Sequence, residues 1–192
     1  MSLERLTAKK KLEKEINGEL SPLKLADARF KVEILPKEKK MWNVNGGDAI
    51  KFLVSMNRGS NELEIHKIAS GGELSRLMLA INLVLAKRIN PKTLVFDEVD
   101  SGVSGAVADA VGLRLKELSK IQQILVVTHL PQVASRGQNH YKSFKFNNET
   151  DTFTGIKKLN KEKRIEEIAK MISGEVITEE ALKVANQLIN EK

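Results

Sequence analysis

The sequence predicts an α/β fold with a mainly parallel sheet flanked by helices. Two apolar stretches, residues 93–96 and 124–127, have the length and the Leu, Ile, Val and Phe content of buried strands. Residues 104–118 between them carry helical spacing, so the three read as one βαβ unit whose crossover makes the strands parallel neighbours. The 192 residues, 41% of them hydrophobic, suit one domain or a large lobe with a real core.

The other elements follow in chain order. Residues 3–20 read as a helix rich in Lys and Glu, ended by Pro22. Its apolar residues Leu6, Leu12, Ile16 and Leu20 form a thin stripe, as at the end of a coiled coil rather than in a core helix. Residues 1–3 are expected to be a cloning remnant, which would make the chain part of something longer. Residues 28–35 alternate, with Phe30, Val32 and Ile34 on one side of a half-buried strand. After a polar, basic turn at 36–40 comes a strand at 50–56 and a loop at 57–61. A helix spans residues 73–88, and Pro91 breaks the chain before the βαβ unit. Residues 141–146 and 153–159 look like a hairpin, and helices at 161–172 and 178–189 close the chain. There is no internal repeat and no low-complexity linker. Residues 1–21 are therefore read as a helical stub and 22–192 as one globular unit.

Composition removes several function classes. There is no cysteine, which excludes disulfides and thiolate metal sites. His66, His129 and His140 lack metal-ligand spacing. No apolar run approaches the roughly 20 residues that span a bilayer, and the N-terminus lacks a signal-peptide core. Aromatics are 4% of the chain, which argues against an aromatic platform for single-stranded bases. The net charge of +7 favours polyanionic partners, although a solvated lysine-rich surface would give the same count.

Three stretches carry chemistry. Thr93-Leu94-Val95-Phe96-Asp97-Glu98 is an apolar strand ending in two carboxylates, at the sheet edge where α/β folds bind ligands. Asp97 there suits Mg²⁺, held through water, and Glu98 suits a general base; acidic residues also simply end strands. Ser70-Gly71-Gly72-Glu73-Leu74-Ser75-Arg76 places glycines at a helix start, where free N–H groups face an anion. Ser70 and Glu73 also fit a capping box, which needs no ligand. Val126-Val127-Thr128-His129 runs a strand into a histidine, which the βαβ reading puts at the same edge as Asp97 and Glu98. Asp100 opens a Gly- and Ser-rich loop beside them, in which Ser101 or Ser104 can cap the next helix.

The order of these stretches matches the second half of an ABC-type, P-loop NTPase ATPase head. More closely, Ile68-Ala69-Ser70-Gly71-Gly72-Glu73-Leu74-Ser75-Arg76 together with Phe96-Asp97-Glu98-Val99-Asp100-Ser101-Gly102-Val103-Ser104-Gly105 resembles the RecN family of bacterial DNA repair proteins. Thr128-His129-Leu130-Pro131-Gln132-Val133-Ala134 and Arg164-Ile165-Glu166-Glu167-Ile168-Ala169-Lys170-Met171 are similar to that family's His loop and C-terminal segment. The resemblance covers nearly the whole chain, and the loop after Glu98 differs from that usual in other SMC-group proteins.

The resemblance implies a head split between the two ends of a long chain, with an antiparallel coiled coil between. Residues 1–21 would end the returning coiled-coil helix, and 22–192 would be the C-terminal half of the head. Asp97 would be the Mg²⁺ carboxylate, Glu98 the base and His129 the γ-phosphate sensor. Ser70, Gly71, Gly72 and Glu73 would meet ATP on the opposite head, and Asp100 would lie in the loop coupling the two sites. The implied partners are the N-terminal half of the same head, a second head in a homodimer, and DNA, in the cytoplasm or on the nucleoid and away from membranes.

One departure stands out. The phosphate-cradling run G-x-x-x-x-G-K-[ST] does not occur, and Asn45-Gly46-Gly47-Asp48 reads as a turn between strands. The chain by itself is therefore expected to bind ATP negligibly and not to turn it over. Two other readings remain open at this point. One is a non-enzymatic DNA-binding module using Lys9-Lys10-Lys11, Lys37, Lys39, Lys40 and Lys157-Lys158. The other is the head of a different SMC-like or ABC-type ATPase.

Overall fold

The computed structural model of the protein describes residues 2–68, 71–147 and 151–191. The first helix, α1 (Ser2–Leu20), is followed by a single 3-10 turn at Ser21–Leu23 containing Pro22. Strand β1 (Arg29–Pro36) pairs antiparallel with β2 (Asp48–Ser55), from Arg29 opposite Ser55 to Pro36 opposite Asp48. A short β3 (Leu63–Glu64), not foreseen in the sequence, adds to β2. Phe30, Val32 and Val54 share the buried face of this sheet, where Phe30 stacks on Phe52 at 5.8 Å.

That face packs on α1, and the helix also closes the sheet edge. The Asn17 side chain accepts from Phe30 N and donates to Phe30 O, both at 2.9 Å. Glu13 accepts from Val32 N at 2.7 Å. Backbone groups of an edge strand that would otherwise face water are thus paired. Ile16 and Leu20 are fully buried in the main core, whereas Leu3 and Leu6 are exposed. The stripe read as a coiled-coil end is therefore core in its second half. Helical spacing shows which side of a helix is apolar, not what covers it.

Helix α2 (Gly71–Leu85) buries Leu77, Leu79 and Ala80 in the same core. The expected βαβ unit follows as β4 (Thr93–Phe96), α3 (Gly105–Leu118) and β5 (Gln123–Val126). β4 and β5 are parallel, from Thr93 opposite Gln123 to Phe96 opposite Val126. Phe96 faces the core with Val111, Leu115 and Leu118 of α3, while Val95 and Leu125 are exposed on the other face. Parallel pairing is confined to these two strands among the described residues, so the mainly parallel sheet narrows to this pair. The remaining pairs are antiparallel, and their connections are shorter than the roughly dozen residues that a parallel crossover needs.

A short α4 (Pro131–Ala134) leads to the antiparallel ribbon of β6 (Tyr141–Asn147) and β7 (Thr152–Lys158). The last two helices, α5 (Lys161–Ser173) and α6 (Glu179–Asn190), enclose a second small core of Ile168, Ala169, Ala181 and Ala185. Their N-caps are Asn160, accepting from Lys163 N at 2.9 Å, and Thr178, accepting from Ala181 N at 3.1 Å. Arg164 of α5 donates to Ser135 O at 2.7 Å and so ties α5 to the end of α4.

His140 lies half-buried where the ribbon meets α5. Burial lowers its pKa below the ordinary 6.5, Arg164 and Lys142 push the same way, and Glu167 opposes them. The unfolded ring therefore takes up a proton more readily than the folded one. This contribution to stability is present above pH 6.5 and is lost as pH falls through the lower folded value. The melting temperature is expected to drop between neutral pH and about pH 5.5, with a shallower slope in His140→Asn. Equal slopes in thermal melts of the two proteins would contradict this.

Candidate functional site

Parallel pairing brings the chemistry-bearing residues to one edge. Because Phe96 lies opposite Val126, Asp97 and Glu98 leave β4 on the side where Val127, Thr128 and His129 leave β5. Val127 N donates to Phe96 O at 3.0 Å, extending the pairing toward that edge. Asp97 and Glu98 are exposed, and the next two residues, Val99 and Asp100, are buried. A turn closed by Ser101 N donating to Glu98 O, 3.0 Å, produces this reversal. Glu98 has φ +56°, in the left-handed region that costs a non-glycine residue about 1–3 kcal/mol. Such a backbone marks a position whose side-chain direction is imposed by its surroundings.

The start of α2 sits against this turn. A Cβ on Gly71 would collide with Glu98 Oε2. A Cβ on Gly72 would lie 2.9 Å from Ser101 Cβ and 3.1 Å from Ser101 O. Close approach to the Ser101 backbone calls for glycine at Gly72, which a capping box alone does not explain, whereas at Gly71 the flexible end of the Glu98 side chain could give way. Two further side chains fasten the contact. Ser75 Oγ donates to Asp97 O at 2.8 Å, and Arg76 Nη1 donates to Ser101 O at 2.8 Å. Arg76 is buried, and desolvation lowers its guanidinium pKa while Glu73 raises it. Ser70 lies outside the described residues.

Asp100 plays a different part from the other acids. It is 2% exposed, and its Oδ2 accepts from Thr128 Oγ1 and, at 3.2 Å, from His129 N. The Thr128 hydroxyl in turn accepts from Leu130 N at 3.1 Å. The His129 side chain is 74% exposed, with Nδ1 3.6 Å from Asp100 Oδ2. The carboxylate therefore fixes the backbone just before α4 and leaves the imidazole facing outward. Asp100→Ala leaves the Thr128 and His129 donors without their acceptor, and is expected to cost about 1–3 kcal/mol in urea unfolding. Asp100→Ala and Thr128→Val together should cost less than the sum of the single changes, since both break the same bond. Strict additivity would show that the bond contributes nothing.

The structure thus brings together Gly71, Gly72, Asp97, Glu98, Asp100 and His129, with Glu73 on the first turn of α2. Ser75, Arg76 and Thr128 belong with them, and nothing in the sequence assigned them a role. Their signal was position alone: Ser75 and Arg76 lie one turn into the helix that follows the glycines, and Thr128 directly precedes His129. Among the described residues, no group of three or more His, Asp or Glu side chains could hold a metal ion. No described helix is long and apolar enough to cross a membrane.

No protein-family model matches the chain. Nearly all of it aligns with DNA repair proteins called RecN. That of Rickettsia conorii is 45% identical over 190 residues, covering 99% of this chain and 34% of that protein. That of Vibrio cholerae is 40% identical over 185 residues, 96% and 33%. That of Xylella fastidiosa is 38% identical over 191 residues, 100% and 34%. The chain therefore spans about a third of the length of the curated relatives it matches. Among solved structures, a chain from work on ATP-driven dimerization and DNA-stimulated activation of SMC ATPases aligns with TM-score 0.50 and 17% identity. The alignment covers 90% of this chain and 98% of that one. An SMC head domain with coiled coil and joint, from Pyrococcus yayanosii, gives TM-score 0.54 and 18% identity over 83% and 28%. At these identities the structural likeness is one of fold. Sequence and fold agree: the chain is similar to about a third of the length of RecN DNA repair proteins, and its fold is similar to that of SMC heads.

Proposed function

We propose that this chain is the C-terminal half of an ATP-hydrolysing head in a RecN-like protein of DNA double-strand break repair, active when heads pair. One observation carries the reading: the glycine start of α2 packs directly on the Asp97–Glu98 turn, while Asp100 ties that turn to His129. Three motifs far apart in sequence become one unit of structure.

The residues fit part of a Mg²⁺–ATP site. Two exposed carboxylates at the end of β4 suit a hard cation, which takes its other ligands from phosphate and water. ATP and Mg²⁺ supply the electrophilic phosphorus and neutralise charge in the complete head. Asp97 would hold the cation through water, and the Glu98 carboxylate takes the proton from the attacking water. His129, outward-facing on a backbone that Asp100 holds, presents its imidazole to the γ-phosphate. Gly71, Gly72 and Glu73 with Ser70 meet the nucleotide of a second, identical head through the α2 N-terminus. Asp100 acts through Thr128 and His129, since its own carboxylate is buried and already accepts two hydrogen bonds.

The phosphate-cradling loop belongs to a partner segment, the N-terminal half of the same head. The exposed Val95, Leu125 and Val127 offer that half an apolar face to cover. DNA is a partner of the assembled protein, and the cytoplasm or nucleoid is its place of action. The test mixes this chain with the N-terminal half of the same protein and follows Mg²⁺-dependent ATP hydrolysis. Turnover is expected in the mixture and in neither half alone. Turnover by this chain alone would sink the split-head reading.

A further inference from the structure

Helix α2 holds the carboxylate turn by more than its glycines. Ser75 and Arg76, adjacent on α2, grip two backbone carbonyls on either side of Glu98. Ser75 Oγ donates to Asp97 O and Arg76 Nη1 donates to Ser101 O, both at 2.8 Å. Ser101 N in turn donates to Glu98 O at 3.0 Å, so one hydrogen bond separates the Arg76 clamp from the residue with φ +56°. A Cβ at Gly72 would lie 3.2 Å from Arg76 Nη1, so glycine there also leaves room for the guanidinium beside Ser101.

A cation is a costly occupant of this place. Arg76 is 4% exposed, forms no salt bridge among the described residues, and its Nε has no hydrogen-bond partner among them. Leu77, Leu79 and Ala80, which follow it on α2, are fully buried in the main core. An apolar side chain would fill the position without desolvating a charge. What the guanidinium does make is a charge-assisted bond to a carbonyl of Ser101, an exposed residue of the turn. A left-handed glutamate on an exposed turn relaxes unless its surroundings over-determine it. Arg76 brings that constraint from a helix anchored in the core.

We propose that Arg76 is a positioning residue for ATP hydrolysis: through the Ser101 carbonyl it fixes the turn that aims the Glu98 carboxylate. It touches neither nucleotide nor attacking water and acts only through the backbone of the turn. The inference rests on the ATPase reading and gives a role to a residue which that reading does not use. Ser75 makes the matching bond to Asp97 O from an accessible position, where water can stand in for its hydroxyl. The buried guanidinium has no such substitute on its side, so the larger effect is expected at Arg76.

The test follows Mg²⁺-dependent ATP hydrolysis by the head reassembled from this chain and the N-terminal half, with Arg76→Met and Arg76→Lys, each alone and combined with Glu98→Gln. Arg76→Met is expected to lower kcat about thirtyfold and to leave KM for ATP within about twofold, because the base is misaimed while nucleotide contacts persist. Arg76→Lys keeps a cationic donor without the planar fork and is expected to recover part of the loss. In the Glu98→Gln background neither substitution should lower turnover further, since the base they aim is already gone. Urea unfolding is expected to find Arg76→Met as stable as the parent chain or more so, since a buried cation is removed and the Ser101 carbonyl can turn to water. Unchanged kcat in folded Arg76→Met overturns the proposal. So does an equal loss in both backgrounds, or a loss that matches a smaller folded fraction, either of which assigns Arg76 to the fold alone. Should Arg76→Met fail to fold, Arg76→Lys with and without Glu98→Gln decides the matter by the same comparison. If Glu98→Gln itself leaves turnover intact, the ATPase reading fails and takes this inference with it; if only the Arg76 substitutions are silent, that reading stands.

Discussion

Glu98→Gln is expected to lower Mg²⁺-dependent ATP hydrolysis by the reassembled head about a hundredfold or more, while nucleotide binding is retained. The glutamine side chain has nearly the volume of glutamate and can still occupy the space that Gly71 leaves beside Oε2. It can no longer accept the proton of the attacking water. Binding and head pairing should therefore survive, and the variant should accumulate in the ATP-bound, paired state. Two measurements separate the outcomes: steady-state phosphate release, and retention of nucleotide on the isolated complex. A variant that turns over ATP normally removes Glu98 from the role of base. One that no longer binds ATP points instead to damage at the turn, where φ +56° already constrains the backbone.

Ile16→Ala is expected to destabilise the protein by about 3 kcal/mol in urea unfolding, against less than about 0.5 kcal/mol for Leu6→Ala on the same helix. Ile16 is fully buried between α1 and the first sheet, so truncating it removes apolar contact and leaves a cavity that fixed neighbours cannot fill. Leu6 lies in the exposed part of the stripe. The contrast matters because a coiled-coil end and a core helix carry similar spacing in sequence. If the two substitutions cost the same, the second half of α1 is not part of the globular unit. The hydrogen bonds that Asn17 and Glu13 share with the β1 backbone predict the opposite.

Much of the site is legible in the residue order because its chemistry is local. A strand ending in Asp97-Glu98, glycines before a helix, and a strand ending in His129 each declare a sheet edge or a helix start. The βαβ pattern then requires Asp97, Glu98 and His129 to share one edge, and the parallel register bears this out. Asp100 is different: that its carboxylate turns inward to Thr128 and His129 depends on the reversal after Glu98, which no spacing rule encodes. Arg76 and Ser75 are silent in the sequence for the same reason, since their partners are backbone oxygens more than 20 residues away in the chain.

Apart from the short β3 and α4, the residue pattern alone specifies the order of the elements and the edge that gathers the acids. These depend on periodicity, on turn chemistry and on the single hand of a parallel crossover, all of which act over short stretches of chain. Packing in three dimensions settles which face each apolar stripe covers. It buries half of α1, limits parallel pairing to β4 and β5, and sets three of six phenylalanines in a row on one ribbon. Composition averages over the chain, whereas cross-strand register places particular residues side by side, and no count of aromatics contains that information.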